Sequence, residues 1–197
     1  MCRKPITKIA CIAGLSLAAL SNVDAASISL IPQVSTVQTG NGFAVDLVMD
    51  FSDEATLGGG VDVNYDNGFV MFDSFTYDSA FLSITDPLFT CPGAGSCSSI
   101  DQLNTVSNIA FGNFNGIGGI FTVGTLEFTA IADGNIDLFL SSTLGQAGPF
   151  VSANTFAPMT VTYNGATVVS AVPLPASIWL LMSGLGLLGL SRKKKTL

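Results

Sequence analysis

Gly42-Phe43-Ala44-Val45-Asp46-Leu47-Val48-Met49-Asp50-Phe51 alternates without a break. Phe43, Val45, Leu47, Met49 and Phe51 fall on one side, and Ala44, Asp46 and Asp50 fall on the other. A period of two is a β-strand with one buried face. The same alternation sets Val61, Val63 and Tyr65 against Asp62, Asn64 and Asp66, and it returns in Ile136, Leu138 and Leu140. Asn41-Gly42, Asn67-Gly68, Asn115-Gly116, Asn164-Gly165 and Asp133-Gly134 punctuate these runs. Such pairs tolerate the positive φ that tight hairpin turns require. Residues 159–163, the Asn164-Gly165 step and residues 166–170 read as a closing hairpin. No stretch of ten or more residues between 27 and 170 has helical periodicity. Those 144 residues suffice for one domain that buries roughly two-thirds of its unfolded surface. The expectation is all-β: an antiparallel β-sandwich or jelly roll of eight to ten short strands over residues 26–171.

Outside that domain the chain changes character. Its seven basic residues are Arg3, Lys4, Lys8, Arg192, Lys193, Lys194 and Lys195, so residues 26–191 hold 13 Asp and Glu and no Lys, Arg or His. The N-terminal cations precede an apolar run over 9–20, and Val23-Asp24-Ala25 is a small-x-small cleavage site. This is a signal peptide over 1–25, cut between Ala25 and Ala26. As a helix its apolar run reaches about 18 Å, short of the roughly 30 Å hydrocarbon layer. Lys8 stands where a lipobox before Cys11 would need an apolar residue.

At the other end Val172-Pro173-Leu174-Pro175 leads into the apolar run 176–190, and Arg192, Lys193, Lys194 and Lys195 close it. Fifteen residues make about 22 Å of helix, a short transmembrane segment whose cations hold the end of the tail on the cytoplasmic side. This tail resembles a PEP-CTERM protein-sorting domain over 172–197. The usual Glu between the prolines is Leu174 here. The resemblance implies export through the inner membrane of a Gram-negative bacterium and transient membrane insertion. It also implies processing by an exosortase-type membrane protease, with Pro173 and Pro175 as recognition positions and Arg192 to Lys195 as the stop. The destination is the cell envelope, surface or extracellular matrix, with the tail either removed or retained as an anchor.

The sandwich resembles a cohesin-type module, related to carbohydrate-binding modules. The likeness rests on residues 37–50 as an opening strand pair, on Gly59-Gly60-Val61-Asp62-Val63-Asn64-Tyr65-Asp66 followed by Phe69-Val70-Met71-Phe72, and on residues 119–130 as a late strand pair. Asn67 stands where cohesins usually have Pro, and 79–118 has no clear counterpart. The resemblance implies a jelly roll used for non-catalytic recognition of protein partners or glycans.

Charge excludes several functions. An anionic surface without cations cannot neutralise phosphates, so there is no nucleic-acid partner. Without His or Lys, a Ser or Cys nucleophile lacks its usual proton acceptor. A small hydrolase is the weakest reading, since Glu54 and Glu127 are the only glutamates and no aspartic-protease signature occurs. Residues 113–119 are glycine-rich, yet no Lys or helix start follows, so they read as a loop rather than a phosphate cradle.

The remaining candidates are few. Cys91 and Cys97 bracket Pro-Gly-Ala-Gly-Ser and read as a disulfide in an exported protein, worth roughly 2–2.5 kcal/mol on the chain-entropy model. Asp62, Asn64 and Asp66, with Asp73 at the twelfth position, resemble half a calcium loop. The Gly falls one place late, and Val63 and Tyr65 suit a strand, so a solvent-facing strand edge is the leading reading. No cofactor is expected, beyond weakly bound Ca²⁺ on so anionic a domain. Tyr65, Tyr77, Tyr163 and surface Phe are the only aromatic platforms a glycan could use. The chain therefore reads as an exported, non-enzymatic surface or matrix protein with a structural or adhesive role towards a protein partner. The alternative is a module binding extracellular polysaccharide.

Overall fold

The structure, a computed structural model, describes residues 26–90, 100–143 and 147–172. The signal peptide, the Cys91–Cys97 pair, the apolar tail helix and the sorting residues Pro173, Pro175, Arg192, Lys193, Lys194 and Lys195 lie outside them. The elements run β1 (Ser27–Pro32), β2 (Thr36–Gln38), β3 (Gly42–Asp50), β4 (Thr56–Asn64), β5 (Val70–Tyr77), α1 (Ser79–Leu82), β6 (Ile100–Gln102), β7 (Thr105–Ile117), β8 (Ile120–Ala130), β9 (Gly134–Ser142), β10 (Val151–Ser152), β11 (Thr162–Asn164) and β12 (Ala166–Ala171). Asp78 caps the single turn of α1 by accepting from the Ala80 and Phe81 amides, which would otherwise lack partners.

The strands form a sandwich of two sheets. One has five strands in the order β11-β1-β3-β8-β5; the other has seven, β2-β12-β9-β4-β7-β6 with β10 beside β4. The alternation of β3 holds throughout: Phe43, Val45, Leu47, Met49 and Phe51 are buried, and the intervening residues are half-exposed. Two aromatic groups fill the interior. Phe128 meets Phe43, Tyr65 and Phe72, each at 5.7 Å between ring centres. Phe150 meets Phe51 at 5.4 Å and Phe111 at 5.3 Å. Tilted and edge contacts of this kind add to the area they bury.

The expectation of a wholly antiparallel sandwich is corrected at two places. β1 pairs with β11 in parallel, as does β12 with β2. These pairings join the beginning of the domain to its end, and parallel neighbours need such long connections.

The turn signals are corrected too. Except for β6–β7 and β9–β10, consecutive strands lie in different sheets. Asn41-Gly42, Asn67-Gly68 and Asp133-Gly134 mark crossings from one sheet to the other, and Asn115-Gly116 lies inside β7. The closing hairpin is absent: β11 pairs with β1 and β12 with β9 and β2, so the chain changes sheet at Gly165. A Cβ at Gly165 would stand 2.4 Å from the Leu138 carbonyl oxygen. Glycine is required there by close backbone approach rather than by positive φ.

Candidate functional site

With no cation in the described domain, its carboxylates are held by hydroxyls and amides. Thr125 donates to Asp46 at 2.8 Å, Thr129 to Asp73 at 2.8 Å and Thr167 to Asp137 at 2.7 Å, all across strands. Asp50 accepts from the Ser52 hydroxyl at 2.6 Å and its amide at 3.0 Å. These two bonds hold the Asp50 carboxyl below the usual carboxylate value. Burial pushes the Tyr163 phenol up, against the pull of a hydrogen bond with Ser142, and the charge of Asp62 adds to the rise.

The four oxygen-bearing residues read as half a calcium loop do not converge. Asp62 accepts the Asn108 amide at 2.7 Å, and Asn108 takes φ 60° to present it. Asn64 accepts from Thr105 and donates to Ser141, both at 3.0 Å. Asp66 accepts the Gly68 amide at 2.8 Å. Asp73 lies on β5, in the opposite sheet. Among the described residues no three His, Cys, Asp or Glu gather closely enough to hold a metal ion.

Glu127 pairs with Ala44 and Ser74 in mid-sheet, whereas Glu54 lies before β4 and takes a hydrogen bond from Ser152. They form no pair. Nor do the tyrosines offer a platform. Tyr65 is buried, and Tyr77 and Tyr163 are half-buried. Tyr77 donates to the Ala110 carbonyl at 2.7 Å.

The exposed aromatics are phenylalanines that alternation did not select. Phe114 on β7, Phe139 on β9 and Phe156 between β10 and β11 are 71%, 60% and 74% exposed. Phe114 packs edge-on against Phe89 at 4.7 Å. A signal was present in the sequence: both Phe114 and Phe156 stand in polar, turn-forming surroundings, Asn-Phe-Asn-Gly and Ser-Ala-Asn-Thr-Phe.

The glycine-rich run 113–119, read as a loop, is mostly strand: residues 113–117 belong to β7, and only Gly118 and Gly119 lie between it and β8. Gly116, within β7, takes φ 82°, and Gly119, before β8, takes φ 103°. A Cβ on Gly116 would come within 2.8 Å of the Ala153 side chain, so the end of β7 and the β10–β11 loop lie close together.

Residues 171–195 match the PEP-CTERM protein-sorting motif. No curated protein matches the chain in sequence. Solved structures share its fold. The cohesin module of a family 33 glycoside hydrolase from Clostridium perfringens is 10% identical, with a TM-score of 0.53 over 76% of this chain and 98% of that one. A type I cohesin from Pseudobacteroides cellulosolvens is 14% identical, with a TM-score of 0.51 over 76% and 95%. A cohesin from Acetivibrio cellulolyticus, solved with a dockerin, is 10% identical, with a TM-score of 0.52 over 75% and 99%. The chain is a cohesin-like β-sandwich that carries a PEP-CTERM sorting motif, the address of exosortase-dependent export to the Gram-negative cell envelope or surface.

Proposed function

We propose that this protein is an exported, non-catalytic module that recognises a protein partner at the cell surface or in the extracellular matrix. A signal peptide over 1–25 delivers it, and an exosortase-type protease acts on the tail at 172–197. The observation that carries the reading is continuity. The sorting motif begins at Ala171, the last residue of β12, so the folded domain runs straight into its address. Like-folded cohesins solved in complex with dockerins support a protein as the partner. The lack of any His, Lys or Arg between 26 and 191 supports a non-catalytic role. A disulfide between Cys91 and Cys97 belongs to the same reading, because it forms in the compartment the chain is exported to.

The test is expression of the full chain in a Gram-negative host with and without an exosortase, followed by intact mass analysis. The expected product with the protease begins at Ala26, lacks Arg192 to Lys195, and is two hydrogens lighter than its dithiol form. A product that still ends at Leu197 in both hosts would refute the sorting claim, and two free thiols would refute the disulfide.

A further inference from the structure

The two ends of the sandwich differ in the aromatic side chains they expose. Ala171 pairs with Gln38 and accepts from the Thr39 amide at 3.4 Å. The tail therefore leaves from the end built by residues 39–41, 66–69 and 131–134. Four residues separate Ala171 from the apolar run at 176. The opposite end is formed by residues 51–55, 113–120 and 152–157, with 86–89 beside it.

This tail-distal end carries Phe114, Phe156, Ile120 at 64% exposure and Leu88 at 79%. Its aromatics are rigidly held. Phe114 packs against Phe89. Phe156 sits at φ 56°, its amide bonded to the Ser152 carbonyl at 3.0 Å and the Ser152 amide bonded to Ala157 at 2.9 Å. The Ser152 hydroxyl accepts from the Asn154 and Thr155 amides and donates to Glu54. A bulky side chain at positive φ is costly and persists only where its surroundings enforce it. Asp50, Asp53 and Glu54 stand in or beside the 51–55 loop, and Asp86 lies two residues from Leu88.

We propose that the tail-distal end is the docking surface for a cationic protein segment that also bears apolar side chains. Its Arg or Lys groups would meet Asp50, Asp53 and Asp86, and its apolar groups would cover Phe114, Phe156 and Leu88. This rests on the reading of the chain as an exported recognition module. Charge selects the occupant. With 13 carboxylates and no cation between 26 and 191, a second copy, an anionic lipid surface or a nucleic acid would each meet charge of its own sign. A cationic segment gains long-range attraction and cation–π contact with the exposed rings.

The full chain in detergent micelles is titrated with labelled peptides of alternating Arg/Tyr, Glu/Tyr and Arg/Ser, and with neutral glucan and chitosan oligosaccharides. The Arg/Tyr peptide is expected to bind saturably, and the other peptides and the sugars are not. Phe114→Ser and Phe156→Ser are each expected to weaken binding about tenfold, while Ile131→Ser at the tail end changes it less than twofold. Unaltered circular dichroism confirms that the variants fold. Saturable Arg/Tyr binding that ignores the Phe variants overturns this surface and leaves protein recognition standing. Arg/Ser binding of equal strength overturns the apolar contribution and with it the proposal. Sugar binding lost in the Phe variants, with no peptide bound, overturns both the proposal and the protein-partner reading.

Discussion

Replacing Gly165 by Asn separates a sheet crossing from a hairpin turn. In a two-residue hairpin both central positions take φ above zero, and Asn is accepted there nearly as well as Gly. The substitution would then cost about 0.5 kcal/mol or less. At the crossing the obstacle is the Cβ itself, which would stand 2.4 Å from the Leu138 carbonyl oxygen, with Leu138 C and Phe139 Cα both at 3.5 Å. Ordinary contact begins at 3.4 Å, so one backbone segment must retreat by about 1 Å. Ala166 is paired with Leu138 and Thr167 with Asp137, so the retreat strains the ladder that docks β12. Overpacking costs about 1–3 kcal/mol, and each weakened ladder bond about 0.5–1.5 kcal/mol. The expected loss is about 2–4 kcal/mol, or roughly 6–12 °C in Tm for a domain of this size. Urea unfolding followed by circular dichroism measures it, with the slope unchanged. Gly68→Asn is the control, because the atoms a Cβ would approach there, at 3.1 and 3.9 Å, belong to the exposed Asp66 side chain. A Gly165→Asn loss under about 0.5 kcal/mol, or an equal loss at Gly68, would refute the crossing argument.

Phe128→Ala removes the ring that Phe43, Tyr65 and Phe72 surround and should cost about 3–5 kcal/mol. Phe114→Ala, on an exposed ring, should stay within about 0.5 kcal/mol in the same urea titration. Because the Tyr163 phenol is raised in the fold, its contribution is complete below the ordinary tyrosine value and disappears as pH climbs through the raised one. Tyr163→Phe should flatten the fall in Tm above about pH 10; an unchanged alkaline slope would count against it. Asp50 runs the opposite way. Its lowered carboxyl stabilises the fold above the ordinary carboxylate value, and that stability goes as pH falls through the lowered value, so Asp50→Asn should lessen the acid sensitivity of Tm. Salt should raise Tm by screening the 13 carboxylates. Ca²⁺ should raise it further than Na⁺ at matched ionic strength, through loose association spread over the surface. Equal shifts would reduce the effect to screening, and a single Asp62→Asn or Asp73→Asn change that removed the whole excess would instead define a discrete site.

Residue pattern carried the interior of this fold and little of its wiring. The alternation of Phe43, Val45, Leu47 and Met49 marks a buried face because side-chain period is a local property of one strand. Asn-Gly steps record only that the backbone tolerates an unusual φ. They do not say whether the next strand pairs with the last or crosses above it, so Asn164-Gly165 looked like a hairpin. The parallel pairs were illegible for a related reason: β11 and β2 are three residues long, and Asn164 reaches Ser29 across 135 positions. The calcium-like spacing of Asp62 to Asp73 failed on the same ground, since the chain changes sheet between them. Phe156 went unselected because exposure at a braced loop depends on partners such as Glu54 and Ser152, which are 98 residues apart, and Phe114 because it lies at the end of β7, outside the alternating runs.

The alternation of consecutive strands between sheets also governs when the domain can fold. Among the described residues only β6 and β7 are joined by a short turn within one sheet, so the emerging chain can form few stable contacts from local sequence. Nearly every other ladder must close a long loop before it gains anything, which slows folding of such topologies. β12, the last strand, supplies the neighbours of both β9 and β2. On the proposed export route, a chain threaded from its N-terminus would lack the β12 ladders with β9 and β2 until residue 171 had cleared. On such a chain slow folding is an asset, because it keeps the polypeptide fit for transport until transport is over.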